Sequence, residues 1–168
     1  MSTTLPPFEP TLTWLREALK AMGQAELADK VSSTWCWPEI ARAATDWPAD
    51  VVDRLTVALV ASGEPDVCLR YCCRVQDRDE VWRVIVKRGE VRPCLDYCRY
   101  VKDRPEMQRV IVDSGNPWPC LDYCRYVKDR PEMQRVIVDS GNAQACLRYC
   151  CRVQYRPEMR AVWEGESA

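Results

Sequence analysis

The sequence predicts an all-α protein: a right-handed α-solenoid of about four 26-residue helix-turn-helix repeats behind an N-terminal helical cap. Three observations carry this expectation. Residues 94–116 and 120–142 are the same 23 residues, CLDYCRYVKDRPEMQRVIVDSGN, offset by 26 positions. Partial copies begin at Cys68 and Cys146. Within each copy the apolar residues recur at helical spacing. A short fixed period of this kind reads as one supersecondary unit stacked on itself. The expected division is a cap over 1–67, containing a diverged repeat at 42–67, followed by repeats at 68–93, 94–119, 120–145 and 146–168.

In the cap, Leu12, Leu15, Leu19 and Met22 share one side of a helix that Gly23 can end. Residues 24–31 offer a short second helix, and Pro38 and Pro48 stand near the starts of two more. The helix expected over 48–61 ends at Ser62-Gly63, 52 residues before Ser114-Gly115, which sets the diverged repeat in register. Trp35, Trp37 and Trp47 are the residues expected to fill the junction with the stack.

In the repeats, the first helix is marked by columns. Cys68, Cys94, Cys120 and Cys146 open each unit. Leu stands one later, Tyr three later, Cys four later and Val seven later in every unit. Positions zero, four and seven lie on one side of a helix, and Leu and Tyr widen that side enough to touch both the hairpin mate and the next unit. The second helix starts at Asp103-Arg104-Pro105-Glu106, where Asp103 and Glu106 have capping-box spacing and Pro105 gives up an N–H that no helical carbonyl needs. Met107, Val110 and Ile111 form its buried side. Ser114-Gly115 stops it, and Asn116-Pro117 turns the chain onward. Helices of about ten residues are marginal alone, so stacking has to supply the core.

Small residues at positions zero and four, Tyr at three and the Arg-Pro-Glu start of the second helix make the unit resemble the short α-helical-hairpin repeats, the tetratricopeptide- and HEAT-type solenoids. The resemblance covers residues 68–163, with a period shorter than the tetratricopeptide one. It implies protein binding along a surface of the stack.

Composition narrows the function classes. Residues 1–65 carry 9 acids and 5 bases, net −4, and residues 66–168 carry 16 acids and 19 bases, net +3. Sixteen of those 19 bases are Arg, the residue of forked contacts to carboxylate and phosphate. The near-neutral total, −1, argues against a nucleic-acid partner. No run is long and apolar enough to span a membrane, and no secretory signal is read at the N-terminus, so a cytoplasmic protein with reduced thiols is expected. His is absent, which removes the commonest general base and activator of Cys or Ser. No enzymatic activity and no cofactor are therefore expected.

Two columns carry the site expectations. Arg78, Arg104, Arg130 and Arg156 stand ten after each first Cys, and Arg83, Arg109 and Arg135 fifteen after. As rows on the stack they are candidates for gripping a protein partner; the competing reading pairs them with Asp103, Glu106 and Asp113 of the chain itself. Asp96 and Asp122, which are Arg70 and Arg148 in the outer units, and Trp118 in the joint between the identical copies, complete the candidate interface. The alternative function is thiolate binding of Cu(I) or zinc by Cys94, Cys98, Cys120 and Cys124, whose Cys-x-x-x-Cys spacing resembles that of copper-storage bundles. Against it stands Cys as a small buried residue where helices approach closely. A one-base-per-repeat RNA binder is the third reading. A protein binder of this size suits an adaptor, or an inhibitor that blocks a larger complex, such as a mobile-element counter-defence protein.

Overall fold

The computed structural model describes residues 12–30 and 47–165. Among them lie eleven helices and no strand, so the all-α expectation holds. None of these helices is long and apolar enough to cross a membrane. The chain divides into two compact units, residues 1–88 and 89–168.

The first unit contains α1 (Leu12–Ala21), α2 (Ala25–Lys30), α3 (Ala49–Ser62), α4 (Pro65–Arg74) and α5 (Asp79–Arg88). Leu15, Ala18, Leu19 and Met22 form the buried side of α1 and meet Ala28, Trp47, Val51 and Leu55 in one cluster. Trp47 is therefore buried within the cap itself, whereas Trp35, Trp37 and Pro38 lie outside the described residues. In α4 the buried side is Val67, Cys68, Tyr71 and Cys72. In α5 it is Val81, Trp82 and Ile85, three and four residues apart on one side of the helix.

The second unit contains α6 (Val91–Tyr100), α7 (Pro105–Asp113), α8 (Pro117–Tyr126), α9 (Pro131–Asp139), α10 (Ala143–Arg152) and α11 (Pro157–Glu164). Each odd-numbered helix packs on the one before it as a hairpin, and within this unit α8 also packs on both α6 and α10, and α9 on both α7 and α11. Cys94, Leu95, Tyr97 and Cys98 are buried on α6, and Cys120, Leu121, Tyr123 and Cys124 on α8. Met107, Ile111, Met133, Ile137 and Met159 are nearly or fully sealed from solvent. Burying a side chain of this size stabilises by about 1.5–3 kcal/mol, which is how helices too short to stand alone are held. Val110 is only half buried.

Helix starts recur at residues 65, 91, 117 and 143, and again at 79, 105, 131 and 157. Pro opens several of these helices, including α7, α8 and α9, where a missing N–H costs nothing. The stops are also local. Gly115 and Gly141 follow α7 and α9 with φ of 63°, a left-handed conformation that side chains with a Cβ resist. Ser114 Oγ donates to the Ile111 carbonyl at 2.6 Å, and Ser140 Oγ to the Ile137 carbonyl at 2.7 Å. Ser62 Oγ does the same to the Leu59 carbonyl at 2.6 Å, at the end of α3.

One local expectation fails. Asp103 does not cap α7: the residue before the helix is Arg104, and no side chain caps the helix start. The carboxylate of Asp103 is taken by other donors. Gln108 Nε2 donates to Oδ1 at 2.7 Å and Tyr123 Oη to the same atom at 2.6 Å, while Arg130 holds Oδ2 at 3.0 Å. Three donors, one of them charged, outcompete a backbone N–H that water can satisfy.

Candidate interaction surface

The cysteine columns lie inside. Cys94, Cys98, Cys120 and Cys124 are buried, as are Cys68, Cys72 and Cys146. The thiols at position zero point at the end of the preceding helix pair. Cys120 Sγ donates to the Ile111 carbonyl at 3.9 Å, Cys146 Sγ to the Ile137 carbonyl at 3.6 Å and Cys68 Sγ to the Leu59 carbonyl at 3.8 Å. These carbonyls stand in the last turn of their helices and already accept from Ser62, Ser114 and Ser140, so the weak S–H donor takes a second lone pair of each. Burial pushes the Cys94, Cys120 and Cys124 thiols up to about 12 and the Cys98 thiol up to about 11. Neutral thiols are poor nucleophiles and poor metal ligands. Among the described residues, no group of three Cys or acidic side chains is arranged to hold a metal ion.

The first arginine column is tied down. Arg130 bonds Asp103 at 3.0 Å, 27 residues earlier, and Arg156 lies 3.8 Å from Asp129. Tyr123 and Tyr149 donate to the same two carboxylates at 2.6 and 2.7 Å. Each aspartate in the loop of one hairpin therefore receives a phenol and a guanidinium from the next. For Asp103 and Asp129, burial pulls the carboxyl upward, but the combined hydrogen bonds outweigh it and hold both below the ordinary range. Burial, reinforced by the bond to Asp, raises Tyr123 and Tyr149 well above an ordinary phenol. In the first unit the same two columns find different acceptors on α3. Arg78 pairs with Asp53, and the Tyr71 hydroxyl shares a hydrogen bond with Thr56 at 3.1 Å. Arg104 Nε donates to Tyr97 Oη at 2.8 Å.

The second arginine column is outside. Arg109 and Arg135 are exposed on α7 and α9, each with acids three residues before and four after, Glu106 and Asp113 or Glu132 and Asp139. Arg83 is exposed, 3.8 Å from Asp79 and over the Trp82 ring. Asp96 is held by Arg92 at 2.9 Å, while Asp122, at the same position of α8, is half exposed. Trp118 is half buried, with the Arg148 guanidinium 5.2 Å from its ring centre. Trp118 thus stands in the first turn of α8, not in the joint expected of it, and meets Arg148 of the following helix pair.

A further row, absent from the sequence expectations, is formed by Arg99, Tyr100, Arg125 and Tyr126. The Arg99 guanidinium lies between two rings, 4.9 Å from the centre of Tyr100 and 4.1 Å from that of Tyr126. Arg125 stacks on Tyr126 at 4.7 Å. Tyr100 is 60% exposed and Tyr126 41%, and both arginines are exposed. Among the described residues, no carboxylate is paired with Arg99 or Arg125, in contrast to Arg130 and Arg156. Lys102 and Lys128 follow on the same loops, and Arg152 occupies on α10 the place of Tyr126 on α8. The arginines sit in the last turn of their helices, where a cation stabilises the helix end by about 0.3–1 kcal/mol. That accounts for Arg at the position, not for two large exposed rings beside it. The signal was present in the sequence: positions five and six are Arg-Tyr in the identical copies but Cys-Arg in the outer units, at Cys73-Arg74 and Cys151-Arg152.

Compared with known proteins, the chain matches no family model, no curated protein and no solved structure.

Proposed function

We propose that the chain is a non-enzymatic, right-handed α-solenoid that binds a protein partner through the exposed rim at the ends of α6 and α8. The stack consists of four hairpins at a 26-residue period, 68–93, 94–119, 120–145 and the shorter 146–168, behind a helical cap at 1–67 that includes a diverged repeat at 42–67. The recurrence of helix starts every 26 residues supports this organisation, as does the stacking of hairpin on hairpin in the second unit. The same carbonyl–serine bond at Ser62 as at Ser114 and Ser140 supports the register of the diverged repeat.

The observation that carries the binding reading is the exposed Arg99–Tyr100–Arg125–Tyr126 row. Tyr and Arg are the residues that most often anchor protein interfaces. Here they are prearranged on rigid helix ends, so little freedom is lost on docking. The remaining chemistry supports a binder over an enzyme, since burial holds thiols such as Cys94 and Cys120 neutral and no His is present to activate any cysteine. Buried, protonated thiols suit a reducing compartment such as the cytoplasm. In such a place the protein acts as an adaptor, or as a small inhibitor that occupies the surface of a larger complex.

The test is capture of a partner from native lysate by the tagged chain, with Tyr100→Ala plus Tyr126→Ala as the comparison. A stoichiometric partner held by the wild type and lost from the variant supports the reading. A partner held equally by both removes this rim from it.

A further inference from the structure

Resting on the protein-binding reading above, we infer that the Arg99–Tyr100–Arg125–Tyr126 row docks an extended acidic segment of its partner, with acidic side chains three residues apart. Two guanidinium groups lie over tyrosine rings, Arg99 4.9 Å from the centre of Tyr100 and 4.1 Å from that of Tyr126, and Arg125 4.7 Å from that of Tyr126. A guanidinium stacked face-on spends its π surface on the ring and keeps its N–H edge for an acceptor in the plane. The acceptor such an edge fits best is a carboxylate or phosphate, which takes two parallel N–H bonds. Among the described residues no carboxylate is paired with Arg99 or Arg125, Asp122 one turn before Arg125 included. Asp96 is bound by Arg92, and Asp103 by Tyr123, Gln108 and Arg130, so the acids one turn away from Arg99 are already engaged.

Spacing sets the form of the ligand. α6 and α8 pack side by side, and packed helices lie about 8–10 Å apart. Equivalent side chains on the two helices are therefore separated by about that distance. An extended chain in the polyproline-II form advances about 3.1 Å per residue with three residues per turn, so acids at i and i+3 share one side and lie about 9 Å apart. A peptide is favoured over a nucleic acid by overall charge. Residues 89–168 carry 13 bases and 12 acids, net +1, too balanced to hold a phosphate backbone without a specific acid-reading geometry.

The probe is a fluorescent peptide of three Glu-Ser-Gly repeats, with a Gln-Ser-Gly peptide and a 12-nucleotide single-stranded DNA as comparisons. The expected result at low salt is at least tenfold tighter binding of the Glu peptide than of the Gln peptide, falling by a similar factor at 0.5 M salt. Arg99→Glu plus Arg125→Glu abolishes this preference. Tyr100→Leu plus Tyr126→Leu weakens it severalfold, because the guanidinium groups lose their fixed orientation while both charges remain. These side chains are exposed, so an unchanged melting temperature certifies each variant as folded. Equal binding of the Glu and Gln peptides overturns the inference, and so does DNA binding tighter than the Glu peptide. A protein partner that is lost on Tyr100→Ala plus Tyr126→Ala, yet is not displaced by excess Glu peptide, leaves the protein-binding reading standing and removes the acidic segment. A Glu peptide bound equally by the Arg99→Glu plus Arg125→Glu variant places the acid elsewhere and also overturns it.

Discussion

The phenol of Tyr123 donates to the Asp103 carboxylate at 2.6 Å, joining the first helix of one hairpin to the loop of the hairpin before it. Tyr149 repeats the contact on Asp129 at 2.7 Å, again 20 residues back. The bond crosses between hairpins, so it fixes how they stack and contributes nothing to either hairpin alone. A double-mutant cycle of Tyr123→Phe and Asp103→Ala should give a coupling of about 1–2 kcal/mol in urea unfolding. Asp103→Ala should be the more damaging single change, because it strands both the phenol and Arg130. A coupling near zero would mean the phenol is equally well served by water.

Acid should loosen the stack in a defined window. The folded carboxyls of Asp103 and Asp129 lie below their unfolded values, so the protein state that binds more protons is the unfolded one. Their stabilisation is complete at neutral pH, begins to fall as pH drops through the unfolded value of about 3.9, and is lost below the folded one. Melting temperature recorded from pH 7 to pH 2 should hold nearly level to about pH 5 and then decline. In Asp103→Asn plus Asp129→Asn, which lacks both carboxylates, the decline should be shallower and the neutral-pH value lower.

Leu95, Leu121 and Leu147 are the same column in three successive hairpins, yet the first two are 5% exposed and the third 41%. Nothing among the described residues follows α10–α11 to cover Leu147. Leu121→Ala should therefore cost about 2–5 kcal/mol and Leu147→Ala about 0.5 kcal/mol or less, measured by chemical denaturation. Equal costs would show that Leu147 is covered in solution.

Thiol chemistry should divide the cysteines by burial. Cys151 is exposed, whereas Cys94, Cys98, Cys120 and Cys124 are buried with raised pKa values. In native protein at pH 8, an aromatic disulfide reagent should react with Cys151 within minutes and with those four only on the timescale of unfolding. The same burial predicts alkaline lability. Unfolded thiols ionise near 8.5, so the stabilisation is whole below that pH and is lost as pH rises toward the folded values of about 11 to 12. Cys120→Ala plus Cys124→Ala should flatten the alkaline decline in melting temperature.

Much of the secondary structure was legible because its determinants are local. The 26-residue period, the Pro starts, the Ser-Gly stops and the Cys-Leu-Tyr-Cys columns act within one or two helical turns, and the helices stand where those signals put them. Burial of Cys94, Leu95, Tyr97 and Cys98 followed from helical spacing alone. Asp103 misled the reading because a capping aspartate and an aspartate that binds the next hairpin have the same neighbours in sequence. What separates them is the Tyr123 hydroxyl and the Arg130 guanidinium, 20 and 27 residues away.

The sequence by itself determined that the chain is helical, most of the residues that face inward and the Pro starts and Ser-Gly stops of the second helices, but not the start of α8 at Pro117 or the part played by Asp103. Backbone preference and hydrophobic period are short-range, and 26 residues contain all of their terms. Only the tertiary structure decided which arginines are spent internally and which are left to the solvent. Arg130 and Arg99 are both loop-proximal basic residues of a repeating unit, but stacking brings a carboxylate to Arg130 and a tyrosine ring of the next hairpin to Arg99. That difference depends on what the neighbouring hairpin presents across the interface, and charge pairing across space leaves no trace in the order of residues along one helix.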